Sequence, residues 1–527
     1  MSRLVIFILL SAIVSSTVTA QEVPHQLQNY GVYRLLDELA AAGVVDVNQA
    51  IKPYSRLAIA KWLAEAKEEG EALTTRQLKE IEFYLRDFGK EIDDFGERGR
   101  RRDLFYYKDD LFSITVNPIL GGEVFYNSAG RATFVRNGAG AHATVGNWGF
   151  YASLRDNHEK PLLGRPGYLT RRAGGHIKGG TDWSDMQAGV SYAWKWGSIL
   201  MVNDMLQWGS GYNGTNIFAG NTPPFFQLRL NIRPVKWFDF NYVHGSLKSM
   251  VVDSARSYLV TNTYGTDYRE VYHTKYIAAN MFTFVPLERL HVSVGNSIVY
   301  SDYGINPVFL IPVLFFKSVD HSMNSGIDNM NSQMFIDISS RQIRNVHLYG
   351  TMFIDELSVY RFTMNDAWNF FSYKAGAMVY NLPVSNMTLG AEFTYTYPLT
   401  FQHYVPTLTF ETNRYNLGHY LKDNSREWYF TMGYRPLPTL GVKVWFSDAV
   451  RGPDYTLLAT PRVGNPPLAS VEWSNRSFGL SADYQVINDV YMWFSLVRSD
   501  ISGDATLAPV YFQGEKVSVN FGLTVGF

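Results

Sequence analysis

Two periodicities divide this chain. From about residue 104 onward, apolar and small polar residues alternate with a period of two, which sends successive side chains to opposite faces of a strand. Phe112, Ile114 and Val116 alternate with Ser113, Thr115 and Asn117. At the C-terminus, Val517, Val519, Phe521, Leu523, Val525 and Phe527 share one face, and Ser518, Asn520, Gly522, Thr524 and Gly526 the other. A strand of about 9–11 residues crosses a bilayer when tilted, so the pattern predicts an all-β transmembrane barrel over 104–527. Further strands are expected over 186–194, 199–206, 272–284, 373–380 and 388–397. Short links join many of them, at Arg233 and Pro234, 286–288, 381–383, 436–438 and Asn488 with Asp489. Long polar segments lie between, at 156–184, 248–270, 301–332, 400–425 and 449–466. Short turns on one rim and long loops on the other are the asymmetry of outer-membrane barrels. Structureless loops of that length count against a compact soluble domain. The strands number between about sixteen and twenty, with an even count expected. The last strand is expected to meet the first near Phe112–Val116 and so remove the sheet edge.

The other periodicity is helical and covers residues 25–98. Leu35, Leu36 and Leu39 recur at helical spacing before Gly43. Ser55 precedes a second helix carrying Ile59, Trp62, Leu63 and Ala66, in the N-cap position. Thr74 with Gln77 forms a capping-box pattern ahead of Leu78, Ile81, Leu85, Phe88 and Ile92. Together these predict a small helical bundle. The run Arg98, Gly99, Arg100, Arg101 and Arg102 reads as a linker, solvated or set against anionic head groups.

Targeting and composition narrow the class. Arg3, the apolar run 4–14 and the small residues Val18, Thr19 and Ala20 form a secretory signal peptide over 1–20, cut before Gln21. No later stretch reaches the roughly 20 apolar residues of a membrane helix. Aromatic residues make up 15% of the chain, which suits interfacial girdles. A net charge of −1 leaves no electrostatic footprint for nucleic acid. There is no cysteine, so disulfides and thiolate metal sites are excluded. No cofactor motif is present.

Four segments carry a family resemblance. They are Tyr33 to Val44; Arg136, Asn137 and Gly138 followed by 148–156; Gln207, Trp208, Gly209 and Gly211 leading to Asn221, Pro223 and Arg229; and Tyr349 and Gly350 with Asp355 and Glu356. In this order they resemble the Wzi-type capsule assembly outer-membrane proteins. The resemblance implies a barrel of about 18 antiparallel strands with a small N-terminal helical bundle, residues 25–98, on its periplasmic side. It also implies a non-enzymatic, lectin-like role, holding capsular or exopolysaccharide at the surface of a Gram-negative cell. A single Trp208 stands where the family pattern has a paired aromatic, and Tyr212 lies beyond the glycines, which leaves the glycan open. The first helices, with Pro53, Tyr54, Ser55 and Arg56, are also similar to surface-layer homology segments. The terminal strand ending at Phe527 resembles the signal read by the barrel-assembly machinery.

The candidate polysaccharide-binding residues are Trp208, Tyr212, Asn213, Arg155, Arg171 and Arg172. Aromatic faces accept the C–H faces of sugars, and neutral amides and hydroxyls pair with sugar hydroxyls. The same loop, 208–218, reads equally as a plug of the barrel mouth. Arg155, Arg171 and Arg172 belong to a basic segment expected as an external loop, suited to carboxylates of an acidic glycan or to lipopolysaccharide phosphates. His158 with Glu159 and Asp320 with His321 are sequence neighbours, which a strand sends to opposite faces. No nucleophile motif accompanies them, so no catalytic residue is expected. Two other roles remain open: a passive porin, and an accessory barrel of a secretion or adhesion machine whose residues 25–95 dock a periplasmic partner.

Overall fold

The computed structural model describes residues 22–96, 99–177, 180–302, 304–324, 326–364, 368–455 and 466–526. The signal peptide expected over 1–20, Arg98 and Phe527 lie outside the described residues. Among the described residues, eighteen antiparallel strands close a barrel. In chain order these are β1 Phe112–Asn127, β2 Gly130–Val145, β3 Trp148–Lys160, β4 Asp182–Trp194, β5 Gly197–Asp204, β6 Phe225–Val235, β7 Phe238–Val252, β8 Tyr272–Leu287 and β9 Leu290–Ser301. The second half comprises β10 Met330–Ser340, β11 Val346–Glu356, β12 Phe370–Tyr380, β13 Met387–Thr396, β14 Ser425–Leu437, β15 Leu440–Arg451, β16 Trp473–Ile487, β17 Val490–Gly503 and β18 Gly514–Val525. The expected rim asymmetry is present. Pairs such as β8–β9, β14–β15 and β16–β17 join through residues 288–289, 438–439 and 488–489. The opposite rim carries 161–177, 205–224, 253–271, 304–324 and 397–424.

The terminal alternation behaves as its period demands. Val517, Phe521 and Leu523 face outward and are exposed, whereas Ser518, Asn520 and Thr524 are buried on the lumenal side. The closing register differs from expectation. β18 pairs with Leu120–Tyr126 of β1, and the Phe112–Val116 stretch is edged instead by a short strand, Phe105–Lys108. Closing a tilted barrel offsets the ladder along the strands, so the last strand meets the far half of the first.

Three helices precede the barrel: α1 Gly31–Ala42, α2 Arg56–Glu68 and α3 Thr75–Phe88. α1 ends on Gly43 in the left-handed conformation, at φ 81°. The Ser55 side chain accepts from the Ala58 N–H, and Thr74 and Gln77 form the reciprocal capping box. The third helix stops at Phe88, short of Ile92. Arg56, in the segment similar to surface-layer homology repeats, is consumed internally by Asp87 at 3.2 Å and Glu91 at 2.7 Å.

The bundle sits on the short-turn rim and is bolted to it. Arg34 pairs with Asp483 of β16, Arg435 of β14 reaches Glu38 and Glu80 at 3.2 Å each, and Arg341 reaches Asp37 at 3.3 Å. The Ala41 carbonyl accepts from the Asn345 N–H at 2.7 Å, and the Phe83 carbonyl from Asn488 at 2.9 Å. The arginine run is solvated only in part, Arg100 and Arg102 being exposed and Arg101 not. Arg101 is buried and bonds Asp489, Asp103 and Asp87, because three carboxylates converge there and an unpaired buried charge is costly.

Two predictions follow from these contacts. Arg435→Ala strands Glu38 and Glu80 beside a single cation, Arg76, and is expected to weaken docking by about 3 kcal/mol, read as faster proteolytic release of residues 31–88. The second concerns His25, buried between Tyr33 and Phe88 with Nε2 3.0 Å from the Asn29 carbonyl. Burial, aided by the Arg56 charge, pushes its pKa down to about 4. Because the folded state favours the neutral ring, this contribution is complete above the unfolded value near 6.5 and is lost as pH falls through about 4, amounting to about 3 kcal/mol. Glu22, whose carboxyl burial raises to about 7, acts oppositely as pH rises. The difference between wild type and His25→Gln in urea melts at pH 7 and pH 4 isolates the histidine term.

Candidate functional site

The lumen is largely occupied by protein. Loop 205–224 leaves the long-loop rim and runs inward until Trp208 pairs with Ile51 of the N-terminal region, forming a small sheet with Phe218 and Ala219. Gly209 makes this turn at φ 97°, a conformation that L side chains resist. A Cβ on Gly211 would collide with the Gly214 carbonyl. Loop 397–424 also folds inward. The Leu417 carbonyl accepts from the Ala219 N–H at 2.7 Å, and the Thr409 carbonyl from Lys275 Nζ at 2.6 Å.

Packing explains why the loops stay. Trp208, Ile217, Phe218, Phe401, Phe410 and Leu417 form one buried cluster with Val243, Leu247, Ile277, Met281, Phe335 and Phe353 of the wall. Those wall residues point inward, where a water-filled barrel would carry polar side chains. Each fully buried large apolar side chain contributes about 1.5–3 kcal/mol.

Polar groups fix the register. Asp337 of β10 accepts from the Ser210 N–H at 2.7 Å, the Ser210 hydroxyl at 2.9 Å and the Thr351 hydroxyl at 2.8 Å. Glu392 of β13 accepts from the Tyr212 N–H at 2.6 Å, the Asn213 N–H at 3.0 Å and Lys374 Nζ at 2.9 Å. Within the second loop, Asp423 accepts from the Phe401 N–H at 2.7 Å, and burial pushes its carboxyl up to about 7.

The predicted residues separate into plug and chamber. Trp208 is 2% exposed and stands edge-on to Phe218 and Phe335. Asn213 is 1% exposed and accepts from Arg171. Arg155, expected in an external loop, is instead on β3, 1% exposed and lumenal, where it donates to Gln28 and Gln187. Strand β3 runs to Lys160, so the loop begins later than its polar composition implied. Tyr212, Arg171 and Arg172 line a cavity of about 690 Å³ with Gln28, Tyr30 and Tyr420. Glu159 is buried and His158 is not, as strand alternation requires.

A second cavity, of about 660 Å³, adjoins the first and shares Gln28, Tyr30, Arg172 and Ala173 with it. Its wall carries Phe134, Trp183, Tyr491 and Trp493 among Arg34, Arg136, Glu123, Glu159 and Asp185. Arg172 bridges the two chambers and bonds Glu159 at 2.6 Å and Glu123 at 3.3 Å. Trp493 Nε1 donates to Glu123 at 3.2 Å and Trp183 Nε1 to Asp185 at 3.0 Å. Both rings thus hold their orientation, Trp183 packed on Gly175 and Trp493 on Gly522, and line the cavity. Trp183, Trp493, Phe134, Asp337 and Glu392 were missed from sequence. For the carboxylates the available signal was a charge inside an apolar strand, as in Phe335, Ile336, Asp337 and Ile338. Among the described residues, no group of three or more His, Asp or Glu is arranged to hold a metal.

These features define a closed, internally plugged, eighteen-stranded barrel of the outer-membrane type. No family model matches the chain, and no curated protein does. Among solved structures it is similar to Wzi, described as an outer-membrane protein involved in group 1 capsule assembly in Escherichia coli and a carbohydrate-binding β-barrel. That likeness covers 96% of this chain and 100% of the other, with a TM-score of 0.59 and 13% identity, and it shows a shared fold. Acinetobacter baumannii OccAB2 is a more distant likeness, with a TM-score of 0.42 and 9% identity over 78% of this chain and 97% of that one.

If the carboxylates hold the plug, Glu392→Ala leaves Lys374 buried and unpaired and frees the Tyr212 and Asn213 amides, costing about 3–5 kcal/mol. Planar-bilayer recordings are expected to change from near silence in wild type to frequent open bursts in Glu392→Ala and Asp337→Ala.

Proposed function

We propose that this chain is an outer-membrane barrel that retains capsular or exopolysaccharide at the cell surface, binding it without chemical conversion. In this reading the signal peptide exports the chain and the helical bundle faces the periplasm. The long loops face outward, in contact with lipopolysaccharide, and the terminal strand serves the barrel-assembly machinery. The observation that carries the reading is the pair of adjoining chambers left beside the plug, under loop 161–181. Their volumes fall in the range of ligand sites, about 300–1,000 Å³. Tryptophan faces set among arginines and carboxylates offer what a polyhydroxylated, acid-bearing chain requires, namely apolar C–H platforms and charge-assisted hydrogen bonds. Tyr212, Arg171 and Arg172 belong to this surface, whereas Trp208, Asn213 and Arg155 support it from behind. The Wzi likeness, a carbohydrate-binding barrel of the same fold, supports the same class of ligand. A passive porin requires an open lumen, and here loops 205–224 and 397–424 and the bundle occupy it from both ends.

The test is retention. Cells lacking the protein are expected to synthesise polysaccharide normally and shed it into the medium, and unchanged retention would refute the proposal. On the purified barrel, Trp183→Ala and Trp493→Ala are each expected to weaken polysaccharide binding about tenfold, equivalent to 1.4 kcal/mol, with unchanged heat-modifiable migration showing that the barrel remains folded.

A further inference from the structure

One long loop behaves unlike the others. Residues 304–324 neither project from the rim nor enter the lumen; they lie against the outside of the barrel. Along β8, Ile277, Ala279 and Met281 face the plug cluster, so Ala278, Asn280 and Phe282 face outward. Yet Ala278 and Asn280 are buried, as are the outward Phe240 and Tyr242 of β7 and Ile298 and Tyr300 of β9. The cover is Phe309, Phe316 and Val319.

Hydrogen bonds fasten the cover at depth. Asn280 Nδ2 donates to the Pro312 and Leu314 carbonyls at 2.9 and 2.8 Å. Asn296 Nδ2 donates to Asn280 Oδ1 at 2.6 Å, and Asn296 Oδ1 accepts from the Phe316 N–H at 2.6 Å. The Tyr242 hydroxyl donates to the Phe309 carbonyl at 2.6 Å. Near the rim, Ser332 donates to Asp320 of the short helix Phe316–Met323 at 2.6 Å. Asn280 lies seven residues from Leu287, which pairs across the β8–β9 turn. That places it roughly 17 Å up a strand tilted by about 40°, within an apolar band of about 25 Å. Irregular backbone cannot face hydrocarbon with its polar groups unmet, and here wall asparagines meet several of them.

Over residues 305–315 the opposite face of the segment is apolar, whereas in the helix that follows Ser318, His321 and Ser322 are exposed. Ile305, Val313 and Phe315 are 53, 64 and 52% exposed, with Leu310 and Ile311 beside them. This face continues the exposed apolar band of the neighbouring wall, Val294, Ile336 and Ile338. Across β10 and β11, Phe362 stands 6.3 Å from the outward Phe371.

We propose that residues 304–316 form a membrane-embedded strap whose outer face, from Ile305 to Phe315, contacts the acyl chains of the outer leaflet. The strap covers the wall amides of Asn280 and Asn296 and presents an apolar surface in their place. The inference rests on the membrane-spanning reading of the barrel and is independent of the glycan.

Because the chain has no cysteine, single-site labelling tests it directly. Val313→Cys carries the probe. Ile336→Cys serves as the strand control facing lipid and Tyr264→Cys as the control in water. Each variant, full-length and with heat-modifiable migration verified, carries an environment-sensitive fluorophore in phosphatidylcholine proteoliposomes. Position 313 is expected to be quenched by acyl-chain-brominated lipid to the extent seen at 336, and to resist iodide, which quenches 264. Iodide quenching at 313 overturns the strap. Resistance to both quenchers at 313, with 336 still lipid-quenched, also overturns it and indicates a covering polypeptide. Loss of lipid quenching at 336 as well defeats the membrane-spanning reading itself, and the strap with it.

Discussion

The architecture depends on two carboxylates holding irregular backbone inside a barrel. A loop carried into a lumen brings peptide N–H groups with it, and each needs an acceptor once water is excluded. Asp337 and Glu392 supply acceptors at Ser210, Tyr212 and Asn213, and both are themselves fully engaged. Glu392 is charge-balanced by Lys374, while Asp337 is met by hydroxyls and amides alone. An acceptor one strand away would leave the amides unmet, so the loop has one seat. The apolar cluster around Trp208 and Phe335 then adds most of the favourable energy without needing to specify position.

This arrangement divides the lumen in two. On the side of β7–β11 the inward Val243, Ile277, Met281, Phe335 and Phe353 pack against the plug, with Asp337, Lys374 and Glu392 set beside them as its polar anchors. On the side of β1–β4 and β15–β18 the wall is lined by Glu123, Arg136, Asp185 and Asp483, and space remains. Rings in that space are positioned by bonds through their indole nitrogens and by packing on Gly175 and Gly522. A preorganised aromatic surface loses little entropy when a ligand binds. The seal at the short-turn rim by the bundle gives the chambers a floor, so Tyr30 and Arg34 line them from below.

Much of the barrel was legible because alternation reports which face each residue takes, and because turns and loops differ in length. The helices were legible from Ser55, Thr74 with Gln77, and Gly43, whose caps formed as expected. The candidate site was legible only in part. Tyr212, Arg171 and Arg172 do line a chamber, but Trp183 and Trp493 sit within strands, where an aromatic reads equally as girdle or wall. Arg155 misled because a polar strand interior is indistinguishable in composition from a loop when its partner is a plug and not water. Arg101 misled for a related reason. Its partners Asp87 and Asp489 are fourteen and several hundred residues away, and one-dimensional charge runs carry no record of such convergence.

The outward Asn280 and Asn296 show where the alternation rule has its limit. Read as a strand, 276–284 is apolar on both faces with one amide in the middle, a pattern that fits neither lipid nor water. It is consistent only if something covers each face. The plug covers the inner one through Ile277 and Met281, and the external segment covers the outer one through Phe309 and Phe316. A strand buried on both sides loses its alternation for the same reason that parallel strands in a layered sheet do. The failure of the period over 276–284 of β8 is therefore itself structural information. It marks the stretch of wall that is sandwiched between two loops, and the central amide identifies the outer loop as irregular backbone in need of hydrogen-bond partners.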